Sequence, residues 1–489
     1  MVGRSEWSRS MTLCVADAGA VAKINTTVTV RNTASNKIVL LSGIEIEGAT
    51  GTPGQLGMLL ENNASHVRVQ GCTVRGGEGD YYANNAPGGY AVSIVNSTKV
   101  AFVGCSLTGG MGGGIPFFVS LGGRGGDGVV THGSIVAFYD CLLKGGIGGQ
   151  ADYISPNERA GDGGDGCHVL DYGILASGCQ FQGGMGGGGA SIPGDGGNGL
   201  RADAGQAQYI GSTFAGGSGG FGYYGNVGAN GQPQIGSGVF NQIAGSARKI
   251  SAPALAAENS TLQVQLSGEP GDRFWLLQTR FPEFIYSPSF AGVRLVLTLA
   301  LSLSVPHATL PAAGTVTVPI FVPDVGVGTP VARQYWQCLV VSASGQIRLG
   351  SALHVAVLNC SDLMPDCDGN GSCDSCVTCS CRRRSTATRT ASRTPASRTA
   401  TETDSRTLAT LRAARASTRT TTGYLTSANR PRPGTSTRAR RRAGTAAQVR
   451  RSRHSLPHSQ RRFLATLCSL PTASTRAAEI AISTSVAAI

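Results

Sequence analysis

The stretches VRVQGCTVRGG (residues 67–77), VAFVGCSLTGG (100–110), VAFYDCLLKGG (136–146), ILASGCQFQGG (174–184) and AQYIGSTFAGG (207–217) are five versions of one pattern. They align on Cys72, Cys105, Cys141, Cys179 and Ser212, and VLLSGIEIEGA (39–49) is an earlier member with Ile44 at the anchor. Five positions before the anchor stand Val39, Val67, Val100, Val136, Ile174 and Ala207; three before it, Leu41, Val69, Phe102, Phe138, Ala176 and Tyr209. Two after it stand Ile46, Val74, Leu107, Leu143, Phe181 and Phe214, and four after it there is always glycine, from Gly48 to Gly216. Apolar residues at alternate positions, a change of face at the anchor and a closing glycine describe a short strand, a bend and a second short strand. Anchor intervals of 28, 33, 36, 38 and 33 residues are too irregular for helical repeats and suit coils whose loops differ in length.

The pattern resembles the right-handed parallel β-helix of pectin-lyase-like repeat proteins and covers residues 12–245. Each coil of such a stack buries its inward row only against its neighbours. The four anchor cysteines, Cys72, Cys105, Cys141 and Cys179, are expected to form a ladder of small buried thiols filling a narrow corner. From residue 250 to 360 the glycine loops stop, and segments such as STLQVQLSGEPGDRFWLLQTR and RQYWQCLVVSASGQIRLGSALHVAVLN alternate like the strands of a small antiparallel β-sandwich. Trp275 and Trp336 read as its core aromatics, against a lesser reading as a sugar-stacking platform. The fold class is therefore all-β, a parallel β-helix followed by a sandwich and a disordered tail.

Glycine is the compositional anomaly, with 71 residues, concentrated between Gly48 and Gly238. No collagen-like period of three runs through the chain, which excludes a triple helix. The net charge of +13 belongs to the end of the chain: from Arg382 onward there are 22 Arg, no Lys and three acids, leaving residues 1–381 at −6. The apolar run LVLTLALSLSV from Leu295 is too short to span a bilayer and alternates with period two, so no transmembrane segment is expected. Residues 1–11 carry no secretory signal, and TLCVADAGAVAKINTTVTVRN reads as mid-coil sequence, so the native start is expected to lie elsewhere.

Residues 361–377 contain DCDGNGSCDSC, in which Asp366, Asp368, Asn370 and Asp374 take positions one, three, five and nine of a calcium loop with Gly371 at the sharp turn. Position twelve is Val377 where an EF-hand places Glu, so the match is to the first half. The segment is similar to dockerin and thrombospondin type 3 repeats, and closer to the tandem DCxGNGxxDxC segments of large secreted or surface proteins from planctomycete-like bacteria. That resemblance implies calcium as cofactor, an extracellular or cell-surface location, and an extracellular polysaccharide or the cell envelope as partner.

Residues 378–489 break the resemblance with an Arg/Thr/Ala/Ser tail. A slipped reading frame explains it: GAC for Asp forces Thr in the shifted frame, and TGC for Cys forces Ala. Thr386-Ala387-Thr388 and Thr399-Ala400-Thr401 fit Asp-Cys-Asp, and Thr394-Pro395-Ala396 and Thr407-Leu408-Ala409 fit Asp-x-Cys. Permitted codons turn the stretch from Arg398 into PDCDGNGLADSCD, a tandem copy of the in-frame motif. A frameshifted tail removes nucleic acid as a partner; a genuine one would bind polyanions by counterion release.

Candidate chemistry on the coil is sparse. GGRGGDGV from Gly122 matches the calcium turns of repeats-in-toxin proteins, with AGDGGDGC and PGDGGNGL as degenerate copies one coil apart. Asp127, Asp162, Asp165 and Asp195 are thus candidates for calcium, Asp127 and Asp165 for a hydrolytic carboxylate pair, and solvated turn acids are the commonplace alternative. Parallel β-helices often carry polysaccharide lyases and hydrolases, but Arg68, Arg75, Arg124, Arg159 and Arg201 fall in different columns without convergence, and His132 and His168 read as exposed loop residues. The expected function is a non-enzymatic secreted or surface protein; the alternative is a polysaccharide lyase or glycoside hydrolase on the same coil.

Overall fold

A computed structural model describes residues 11–14, 22–83, 85–114, 121–151, 158–189, 191–287, 290–296, 308–326 and 331–359. These residues are all-β. Three parallel sheets run the length of the coil, of eight, seven and seven strands. The first spans Met11–Cys14 to Val239–Ile243, the second Ala22–Ile24 to Thr213–Ala215, and the third Val28–Arg31 to Gln234–Ile235. Within the first sheet Val67, Val100, Val136 and Ile174 are in register, and Val74, Leu107, Leu143 and Phe181 are in register in the second. Each repeat supplies one strand per sheet, so successive repeats stack as coils of a parallel β-helix. The third strand, for example Val129–His132, is not apparent in the repeat alignment because it is only two to four residues long and follows a glycine run.

The bend between first and second strands has a local cause. The residue before each anchor takes a left-handed conformation: Gly43, Gly71, Gly104, Asp140, Gly178 and Gly211 have φ between 53° and 69°. One such residue reverses which face the next side chain meets, and glycine or Asp tolerates it. The inward rows then form one continuous core, including Val39, Val69, Phe102, Phe138, Leu143 and Phe181. Phe102 and Phe138 stack with centroids 5.4 Å apart. Cys72, Cys105, Cys141 and Cys179 sit in this core at 0–1% exposure, and the Cys105 amide faces Cys141 Sγ at 3.5 Å. Burial pushes the Cys72 thiol up to about 12 and Cys105 and Cys141 well above their ordinary range.

The glycine loops are not loops in the ordinary sense. From the second strand successive coils send out glycine-rich segments, GGxGG from Gly109, Gly145, Gly183 and Gly216, and bring back arms such as GGRGG from Gly122, forming a two-layered lobe. The amides of Gly145 and Gly148 donate to Gln182 and Met185 of the next coil, while those of Gly146 and Gly149 donate to Gly126 and Gly123 of the facing layer. The bonding repeats every three residues, as in extended segments of polyproline II type, here locked by bonds to neighbouring segments of the same chain. A period of three thus exists locally, although none runs through the chain. Glycine is required because the layers meet backbone to backbone: a Cβ on Gly145 would overlap the carbonyl of Gly164.

Beyond the coil, a three-stranded sheet (Lys249–Ser251, Ser260–Ser267, Thr315–Val322) packs on a five-stranded one containing Arg273–Thr279, Val331–Val341 and Ile347–Leu358. Their core holds Val264, Phe274, Trp336, Cys338 and Val355. One pairing departs from a purely antiparallel sandwich: Leu255–Ala257 runs parallel to Ile347–Leu358. Of the two tryptophans only Trp336 is in the core; Trp275 is half-buried, with the Arg273 guanidinium 6.0 Å from its ring centroid. The sandwich and its hairpin Pro282–Ser287/Gly292–Val296 cover the outer face of the first sheet, where Ala101, Val103, Ala137, Tyr139 and Leu175 meet Val293, Leu295 and Ala352.

Candidate functional site

In three successive coils the return arm of the lobe enters the third sheet through an acid or amide that faces the next coil. Asp127 Oδ1 accepts the Asp165 amide at 2.7 Å, Asp165 Oδ1 accepts the Asn198 amide at 2.7 Å and its side-chain amide at 2.9 Å, and Asn198 Oδ1 accepts the Gln232 amide at 2.9 Å. A second column runs beside it: Asp162 Oδ1 accepts the Asp195 amide at 2.9 Å, and Asp195 Oδ1 accepts that of Ala229 at 2.8 Å. The four acids considered for calcium therefore stand in two columns, each carboxylate bonded to the backbone one coil on. Asp127 and Asp165 are 1% and 2% exposed, which corrects their reading as solvated turn acids.

The cationic residues also depart from expectation. Arg124 Nη2 lies 2.6 Å from Asp127 Oδ1 and 3.4 Å from Asp165 Oδ2, and Arg159 Nη2 contacts both Asp162 oxygens at 3.1 Å. Arg201 Nε is 2.8 Å from Asp203 Oδ1. Arg124 and Arg201 converge on one shallow cleft of about 170 Å³, lined also by Asp162, Asp165, Asp195 and Asn198. Residues in different sequence columns meet here because the long Arg side chains reach across the corner between lobe and third sheet; column position locates a Cα, not a guanidinium. Arg68 and Arg75 stand elsewhere, Arg68 under the sandwich and Arg75 exposed on the second sheet.

His168 is likewise not an exposed loop residue. It lies in the strand Cys167–Val169, its Nε2 2.9 Å from Asp203 Oδ2 and its Nδ1 3.8 Å from Asp127 Oδ2. Burial pulls its pKa down, but bonding to Asp127 and Asp203 outweighs this and the imidazole is raised above its ordinary value. Burial pushes Asp127 up, yet His168 and Arg124 together hold it below the usual carboxylate value. Asp203 is lowered by Arg201 first and then by His168. His132 is exposed on its strand, with Nδ1 3.4 Å from Asp171 Oδ2.

Asp127, Asp165 and His168 offer ligand atoms within 4.8 Å of one another, a geometry open to a metal ion. Arg124 already stands against both carboxylates, and its guanidinium supplies the positive charge that a cation would bring. The donor set is thus better matched to an Arg clamp than to calcium, which takes six to eight oxygens. Asp366, Asp368, Asn370 and Asp374, and the tail from residue 378, lie outside the described residues. No helix among the described residues is long and apolar enough to cross a membrane.

No protein-family model and no curated protein matches the chain. Among solved structures, a superoxide reductase (neelaredoxin) from Ignicoccus hospitalis aligns at 12% identity over 23% of this chain and 80% of that chain. Its TM-score of 0.14 carries no argument about fold or activity.

Proposed function

We propose that the chain is a non-enzymatic protein of the extracellular space or cell surface, a β-helix that carries a glycine lobe, with C-terminal calcium-binding repeats that stiffen or attach it. The observation behind this reading is the closure of the polar cluster. A glycosidase needs two carboxylates free on either side of the scissile bond, and a lyase needs a base beside cations. Asp127 and Asp165 instead have their oxygens engaged by the next coil and by Arg124, with almost no exposed surface. The kinship with pectin-lyase-like repeats and with planctomycete-like surface proteins belongs to this proposal, as do the extracellular polysaccharide or envelope partner and calcium at Asp366, Asp368, Asn370 and Asp374.

A second reading, a glycoside hydrolase or polysaccharide lyase, is favoured by the cleft itself, where the partly exposed Asp162 stands with Asp195 beside Arg124 and Arg201. Incubation of the full chain with neutral and acidic glycans, followed by reducing-end release, ultraviolet absorbance of unsaturated ends and a binding assay, separates the two. Binding without cleavage is the expected result. Cleavage that disappears in Asp162→Asn would replace the scaffold reading with the enzymatic one. Resequencing the coding DNA past codon 360 tests the tail: a one- or two-base change restoring Asp-Cys repeats supports calcium and surface attachment, whereas tail peptides seen by mass spectrometry bring polyanion binding forward.

A further inference from the structure

Among the described residues the coil ends without a cap. Thr213–Ala215, Gln234–Ile235 and Val239–Ile243 are the last strands of the three sheets, and none of the described residues pairs with their outer edges. Phe214, the last of the inward row, is only partly buried, although Phe181 and Leu143 before it are at 1% and 0% exposure. The lobe ends in the same way. Gly145 and Gly183 donate to the coil that follows, whereas Gly216, at the equivalent position, has no backbone acceptor among the described residues.

This end is both apolar and uncharged. Phe221 (72% exposed), Tyr224 (71%), Val239 (60%), Tyr223, Val227 and Ile235 all belong to the final coil. Phe221 and Val227 bridge at the base of a tight hairpin that carries the two tyrosines, whose rings meet edge to face at 5.4 Å. From Ala204 to Ala247 there is no Asp, Glu, Lys, Arg or His. Proteins keep open strand edges and solenoid ends monomeric with charge, bulges or polar caps. Here charge is missing over the whole coil.

We propose that a second copy of this chain covers the end, C-terminal coil against C-terminal coil, as a closed two-fold dimer. The patch is compatible with itself, because facing copies bring apolar surface together and residues 204–247 add no like charges. The opposite end of the coil is not a match: it carries Lys23 paired with Glu45 and Glu47 and Arg31 beside Glu61, with Leu13 as its exposed large apolar residue among the described residues. An isologous contact therefore fits better than a head-to-tail one, which would also propagate into filaments. Phe221 and Tyr224 alone offer about 300 Å² of side-chain surface, more than a third of the ~800 Å² that each partner contributes to a stable interface.

Sedimentation velocity of the full chain over a concentration series, in enough salt to screen the basic tail, tests this. The expected result is a reversible dimer that does not grow further. Tyr224→Lys with Val239→Lys weakens it by roughly a hundredfold while the circular dichroism spectrum and melting temperature stay near wild type, and Leu13→Lys leaves the dimer intact. A monomer at every concentration overturns the proposal, as does a dimer indifferent to the two lysines. Open-ended assembly abolished by Leu13→Lys overturns it in favour of head-to-tail stacking.

Discussion

Asp127 marks the corner where lobe meets sheet, and its carboxylate does the work of a backbone carbonyl for the coil that follows. Asp127→Ala strands the Asp165 amide and leaves Arg124 only its longer contact to Asp165, and is expected to lower stability by about 2 kcal/mol in urea denaturation of the intact chain. Asp127→Asn keeps an acceptor for that amide and should cost less than Asp127→Ala. His168 gives the corner a pH dependence. Its folded pKa lies above the ordinary 6.5, so its contribution is complete below that pH and disappears as pH rises through the raised value. His168→Gln should therefore flatten the loss of melting temperature on the alkaline side. The Asp127–Asp165–Asn198 column is legible from the GGDG and GGNG motifs. The meeting of Arg124, His168 and Asp203 is not, because it depends on side-chain reach across a corner whose angle the sequence does not specify.

At the scale of elements, the lobe and the bend use glycine for different reasons, and substitution separates them. A Cβ on Gly164 would overlap the Gly126 carbonyl and press on that of Gly125, both backbone that cannot swing aside. Gly164→Ala is expected to cost on the order of 4 kcal/mol or more, or to prevent folding, as read from the thermal transition. Gly104 has φ of 61° with nothing within 4 Å of a built Cβ, and Asp140 holds the same position one coil later with φ of 53°. Gly104→Asn should therefore change stability by less than about 1 kcal/mol. The GGxGG runs give the period of three in plain view. Their pairing into two layers is invisible in sequence, because a glycine carries no side chain to record what it faces.

At the scale of the molecule, the sandwich turns the outer face of the first sheet into a second interior. Arg68 is 4% exposed there, with Nη2 3.4 Å from the Leu295 carbonyl and its guanidinium 5.2 Å from the centre of the Tyr335 ring. Tyr335 also packs on His354 at 5.2 Å. Burial, then the charge of Arg68, lowers the His354 pKa to about 3. The unfolded chain takes up that proton near pH 6.5, so stability falls as pH drops from about 6.5 toward 3, the reverse of His168. His354→Phe should shrink this acid limb in a series of thermal melts, the remainder coming in part from His66, which burial lowers to about 4, while His168→Gln should leave it in place.

The coil was determined by the sequence alone, because a period-two apolar row that recurs once per coil has only one way to be buried: against its own copies above and below. The sandwich core follows from its alternation in the same way. What covers the coil was decided only by the tertiary structure. Ala101, Val103, Ala137 and Tyr139 are buried on the face that a free-standing coil would turn to water, so the unbroken apolar runs VAFV and VAFY are the trace of a partner. That partner is the hairpin around Val293 and Leu295, more than 150 residues away from Tyr139 in the chain, to whose hydroxyl the Val293 backbone is bonded. A strand's own pattern says that both its faces are buried; which distant segment does the burying is set by packing.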